Sequence, residues 1–175
     1  MSSTEDKIIW STRNFNVIAV GEPFISREEG GHMIIAGNGN KYRYNSRLDF
    51  SPVEALEEDR LSQMLSEAYK IAMKKRNINI IRINYFEAGN WAWKKDENNN
   101  NIDKPFYHEH IFGRTENAIF QKFPDAPYLP DKKTGFYDNF EPLNDEDINA
   151  IVKEMQRLEE DSKYDKNKWS ILQMF

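Results

Sequence analysis

Cysteine is absent from the 175-residue chain, so it has neither a disulfide nor a thiolate nucleophile. That absence fits a reducing, cytoplasmic setting. Long apolar runs are missing too: none approaches the ~20 residues that a membrane span needs. The opening MSSTEDK carries acids and no apolar stretch, so no secretion signal is expected there. Basic residues are in deficit, 24 Lys and Arg against 29 Asp and Glu. The resulting net charge of −5 argues against a nucleic-acid polymer as partner, because a polyanion selects a basic surface. A small phosphorylated ligand is not excluded, since a pocket needs only a few local donors. Histidine is scarce as well, and its three copies are His32, His108 and His110.

The length fits one domain with a real core. Ile8–Trp10 and Phe15–Val20, separated by turn-like Ser11–Asn14, read as a β-hairpin. Gly30 and Gly31 break the chain before a short apolar strand, His32–Ala36, and Gly37–Asn40 marks a turn. Ser51-Pro52-Val53-Glu54 is a helix start: a capping serine, a proline at the first helical position and a glutamate that completes a capping box. The apolar stripe Leu61, Met64, Leu65, Ala68, Ile71 and Ala72 predicts a helix over about 52–76, with a break near Asp59.

Asn79–Tyr85 and Phe106–Phe112 read as strands. The Asn-rich 94–104 segment reads as an exposed, mobile loop. Pro124, Pro127 and Pro130 keep the next segment irregular. A second helix is capped by Asn144 and buries Ile148, Ile151, Val152, Met155 and Leu158. Strands grouped apart from few helices predict an α+β fold with an antiparallel sheet.

The segment Pro105–Arg114, PFYHEHIFGR, carries the chemistry. On a strand Phe106, His108, His110 and Phe112 share one face, with the two imidazoles about 7 Å apart. Imidazole titrates near neutrality, and its neutral nitrogen attacks phosphorus. A bare His-x-His pair is equally compatible with packing or a metal site.

His-x-His-Ile-Phe-Gly-Arg resembles the end of the histidine-triad signature, His-x-His-x-His followed by two apolar residues. Gly31-His32-Met33-Ile34-Ile35, a long helix and a strand ending at Asn84 also follow that superfamily's order. The resemblance covers about 7–114, leaving 115–175 as a C-terminal extension with one helix. It implies a long helix packed across an antiparallel sheet, and homodimers are frequent in the family.

By that resemblance His108 is the nucleophile toward an α-phosphorus. His110 binds the phosphate, His32 supports the imidazoles, and Asn84 lies near the phosphate. Phe106 replaces the first triad histidine but still supplies a carbonyl to orient His108. Arg114 is open to a phosphate contact, although an ion-pair role is the plainer reading. Val20 stands where the family often has a ribose-binding polar residue, with Glu22 the nearest substitute. Asp103 stands near the usual hydroxyl residue, where either Lys104 compensates or the loop is displaced.

The expected ligand is thus a nucleotide, of the dinucleoside polyphosphate or nucleoside phosphoramidate type. No cofactor is required, though Mg²⁺ could accompany a polyphosphate. Two rival readings remain open: a zinc hydrolase using His32, His108 and His110, and a nucleotide-binding protein without turnover. Trp91 and Trp93 suit base stacking or packing. The aromatic and basic 128–137 segment suits a lid or a connector, and Asp145–Asp147 reads as helix-dipole acid.

Overall fold

The computed structural model describes residues 5–87 and 89–170. Five strands, β1 (Lys7–Ser11), β2 (Phe15–Ala19), β3 (His32–Gly37), β4 (Arg82–Phe86) and β5 (His108–Arg114), form one sheet in the order β1-β2-β3-β5-β4. Every pairing is antiparallel. The helices are α1 (Pro52–Lys75) and α2 (Asp145–Glu159). The α+β class and the antiparallel sheet follow the expectation.

Alternation along the strands separates two faces. Phe15, Val17, Met33, Ile35 and Ile111 join Leu61, Met64, Leu65, Ala68 and Ala72 of α1 in one core. Burying that helix stripe against one face leaves the other free for His32, His108 and His110. Ile151, Met155 and Leu158 bring α2 onto the same core.

Ser51 caps α1 by accepting from Glu54 N, and the Glu54 side chain answers on the Ser51 backbone. The helix then runs unbroken through Asp59, contrary to the expected interruption. Lys75 is its last residue, and Asn77 follows at φ 63°. Ile78 N closes back on Met73 O, and pairing with β5 begins only where Ile81 N donates to Arg114 O, one residue before Arg82. The expected strand from Asn79 is shortened for this reason. Tyr107 N donates to Tyr44 O instead of to a ladder neighbour, which delays β5 to His108.

Residues 94–104 are mostly exposed, as expected, but they form a small self-bonded hairpin. Lys95 bridges to Asn101, and the Asp96 carboxylate accepts from Asn98 N and Asn100 N. Among the described residues no helix is long and apolar enough to cross a membrane.

Candidate active site

The register of β3 and β5 sets Ala36 opposite His108, Ile34 opposite His110 and His32 opposite Phe112. All six side chains therefore share the face that α1 does not cover. A close backbone approach helps fix this register. A Cβ on Gly113 would lie 2.4 Å from Gly30 O, and Gly30 itself adopts φ +121°. Only glycine fits at either position, which accounts for the break before His32 and for Gly113 after Phe112.

Backbone partners then set the imidazole tautomers, and with them the direction of each ring. Phe24 N donates to His32 Nδ1 at 3.2 Å, so the His32 proton sits on Nε2. His32 Nε2 lies 2.8 Å from His110 Nδ1 and donates to it. His110 must therefore carry its own proton on Nε2, where it can meet a ligand oxygen. His108 Nδ1 is 3.1 Å from Phe106 O and donates to that carbonyl. The lone pair of His108 is thereby placed on Nε2.

Burial keeps all three rings uncharged. His32, fully enclosed and beside His110, is held well below the usual imidazole value. Burial, with His108 nearby, takes His110 down to about 3. Burial also lowers His108, partly offset by the Phe106 carbonyl. The site thus presents a neutral imidazole with a free lone pair beside a neutral donor.

Two cavities meet at His108 and His110. One, of about 460 Å³, has apolar walls from Ile18, Val20, Ile34 and Ala36, with Asp6 and Glu22 also lining it. The other, of about 640 Å³, is lined by Phe86, Trp91, Leu129 and Pro130 together with Lys94 and Lys132. Phe24, Trp91 and Lys132 border both. The 128–137 segment therefore does fold against the histidine face. Trp91 packs edge-on to Phe106, with ring centres 5.4 Å apart, whereas Trp93 is exposed.

Phe106 lines the first cavity and its ring lies 4.8 Å from that of His108. Asn84 and Arg114 are placed differently from expectation. Phe86, not Asn84, stands opposite His110, and Asn84 lies one rung farther along, opposite Phe112. Its Oδ1 accepts from Arg114 Nη1 at 3.0 Å. Arg114 is almost wholly buried, and its Nη2 donates to the carbonyls of Gln121, Lys122 and Asp125. Glu29 grips the same turn by accepting from the backbone N–H groups of Ile119, Phe120 and Gln121. Arg114 thus brackets the extension to the sheet, with no donor aimed into either cavity. A phosphate contact by Asn84 and Arg114 is corrected on that geometry.

Sequence reasoning passed over Lys132, Asp6 and Phe24. Lys132 had a weak signal in the basic pair inside the aromatic 128–137 run. Asp6, whose carboxylate accepts from Gly21 N at 2.8 Å, had none. The sequence marks Asp147 as first-turn acid three residues after the Asn144 cap, and the two do form a capping box. Asp147 is also fully buried, with Arg27 Nη2 at 2.9 Å and Arg76 Nε at 3.1 Å on its Oδ1.

The three histidines do not suit a zinc ion. Ligand nitrogens on a tetrahedral zinc stand roughly 3.3 Å apart, whereas the facing nitrogens of His32 and His110 are hydrogen-bonded to each other at 2.8 Å. The third ring spends its Nδ1 on a carbonyl. Among the described residues no group of three or more His, Cys, Asp or Glu side chains is arranged to hold a metal ion.

No family model matches the chain, and no curated protein matches it by sequence. Solved structures do. A hypothetical histidine triad nucleotide-binding protein from Sulfolobus tokodaii superposes with a TM-score of 0.51 at 14% identity, over 89% of this chain and 87% of that one. A histidine triad protein from Bradyrhizobium japonicum gives 0.52 at 12% identity, over 87% and 90%. The fold is histidine-triad-like. Within that histidine-triad-like fold, the sheet face bearing His32, His108 and His110 is the candidate site.

Proposed function

We propose that this chain is a nucleotide-binding hydrolase or nucleotidyl transferase that acts at an α-phosphorus through a nucleotidyl-histidine intermediate on His108. The observation that carries the reading is the 3.1 Å contact of His108 Nδ1 with Phe106 O, which leaves the Nε2 lone pair free beside a protonated His110 Nε2.

In the first step Nε2 of His108 donates its lone pair to phosphorus. The bond to the leaving group breaks, and its electron pair departs with that group. The ring becomes positively charged, and the Phe106 carbonyl stabilises the charge by accepting from Nδ1–H. His110 Nε2–H donates to a non-bridging oxygen as charge builds there. In the second step water, or another acceptor, displaces the imidazole from phosphorus. Hydrolysis returns the Nε2 lone pair and releases nucleoside monophosphate, with one proton passing to solvent.

This scheme needs no metal, while Mg²⁺ remains compatible with a polyphosphate substrate. The test is to quench a reaction with a slow nucleoside substrate and map the adduct. An acid-labile, base-stable nucleoside monophosphate on His108 is expected. Nucleotide binding without any adduct or product would support a binding protein without turnover, which the lost triad histidine at Phe106 makes the second reading.

A further inference from the structure

We propose that the cavity lined by Trp91, Lys94 and Lys132 is the leaving-group side of the site, and that it takes an anionic phosphate chain, with Lys132 as its principal cation. The inference rests on the α-phosphorus reading above and narrows its substrate class to nucleoside polyphosphates over phosphoramidates of amines.

Charge is distributed unequally between the two cavities. The first holds Asp6 and Glu22 against Lys132 alone. The second holds Lys94 and Lys132 against Asp131. The histidines at the junction are neutral, so they supply one donor, His110 Nε2–H, but no formal positive charge to a phosphate. Apolar walls with two carboxylates suit a nucleoside and its hydroxyls. The second cavity suits a polyanion.

Lys132 is held in reserve by a weak partner. Its Nζ lies 2.9 Å from Glu22 Oε2, and both side chains are at least half exposed. Lys94 is likewise paired at 3.0 Å with Asp131 across the surface. Exposed pairs of this kind are readily exchanged for a more highly charged ligand. Both lysines come from segments outside the sheet, so the polarity of the site is set by this chain's own loops.

The chemistry of departure points the same way. An amine leaving group must gain a proton as its bond to phosphorus breaks, whereas a phosphate chain departs as a stable anion. Phe106 contributes no proton to a leaving group, and the single Nδ1 proton of His108 is committed to a carbonyl. Of the other residues lining the second cavity, Phe86, Trp91, Leu129 and Pro130 carry no acid either, which leaves the charged Lys94, Asp131 and Lys132.

The experiment measures affinities of the wild-type protein, Lys132→Met, Lys132→Arg and Glu22→Gln for adenosine mono-, di- and triphosphate, with chelator present, by calorimetry. Lys132→Met should weaken the di- and triphosphate by roughly tenfold and the monophosphate by less than about twofold. Lys132→Arg should restore the contrast, and Glu22→Gln should tighten the longer nucleotides. Equal losses for mono- and diphosphate would put Lys132 at the α-phosphate and overturn the assignment, as would no loss for either. Failure to find an adduct on His108 would sink the catalytic reading while leaving this contrast intact. Failure of the wild-type protein to bind any of the three would sink both.

Discussion

The 2.8 Å contact between His32 Nε2 and His110 Nδ1 makes a buried histidine on β3 the tautomer setter for a histidine on β5. Without His32, the His110 proton is free to move to Nδ1, which turns a lone pair toward the oxygen of the proposed phosphate ligand. His32→Ala should lower kcat by on the order of tenfold or more, with a smaller effect on KM. His32→Gln, whose amide N–H can still donate, should recover part of the loss. Equal kcat in the Ala and Gln variants would mean that His32 only fills space.

Phe106 acts on His108 through its carbonyl, which every residue type retains. Phe106→Ala should therefore slow turnover less than His108→Ala, which removes the proposed nucleophile. Its ring also packs on Trp91 and His108, so a rise in KM is the expected signature. Steady-state kinetics of the two variants side by side decide this. Phe106→Ala as slow as His108→Ala would show that ring packing, not the carbonyl, positions the nucleophile.

Much of this arrangement was legible in the sequence because it depends on local rules. Alternation placed His108 and His110 on one face, and Ser51, Pro52 and Glu54 announced α1. What escaped depends on contacts distant in sequence. Asn84 lies on a strand in either reading, and only the register against Phe112 reveals that it misses the histidines. Lys132 reaches the site because Glu29 and Arg114 fix the turn before it, a constraint spanning some ninety residues. The break expected near Asp59 failed because that residue faces solvent toward Arg47, where a charge costs the helix little.

Acid should affect activity and stability through the same rings. His108 is lowered by burial, so its neutral, nucleophilic form persists below the ordinary imidazole value of 6.5. The acid limb of kcat/KM should fall below pH 6.5 for that reason. The buried, depressed histidines also bind protons more weakly folded than unfolded. Their contribution to stability is complete above 6.5 and is lost as pH falls toward the value of about 3 held by His110. Thermal melts from pH 7 to 4 should show a decline that His110→Gln makes shallower. A slope unchanged in that variant would assign the decline to the carboxylates instead.

Arg114 should matter for stability and little for ligand. Its guanidinium satisfies three backbone carbonyls and Asn84 inside the protein. Arg114→Ala strands those acceptors and opens a void, at a cost of ~2–4 kcal/mol. Urea denaturation measures the loss, and affinity at low temperature for adenosine monophosphate, which does not depend on Lys132, should stay within about twofold of wild type if no donor reaches phosphate. A large affinity loss in a protein that remains folded would restore Arg114 to the binding site.

On the opposite side of β5 from the histidines, Glu109 and Glu58 share one guanidinium. Glu58 is fully buried, with Oε2 2.9 Å from Arg47 Nη2 but no aligned hydrogen bond. Glu109 lies 3.3 Å from Arg47 Nη1 and accepts from Ser62 Oγ at 3.0 Å. Asp59 takes Arg47 Nη2 at 2.6 Å, so one cation faces three carboxylates. Burial first, and then the nearby Glu109, raise Glu58 to about 8. A carboxyl raised by folding stabilises the fold below its unfolded value of about 4.5 and loses that contribution as pH climbs through 8. Glu58→Gln keeps the shape without the charge, so it should melt close to wild type at pH 5. At pH 9 it should melt higher by about 2–4 °C, which corresponds to ~1 kcal/mol in a chain of this size. Should the variant instead melt lower than wild type at pH 9, Glu58 is ionised there and its attraction to Arg47 outweighs the burial of its charge.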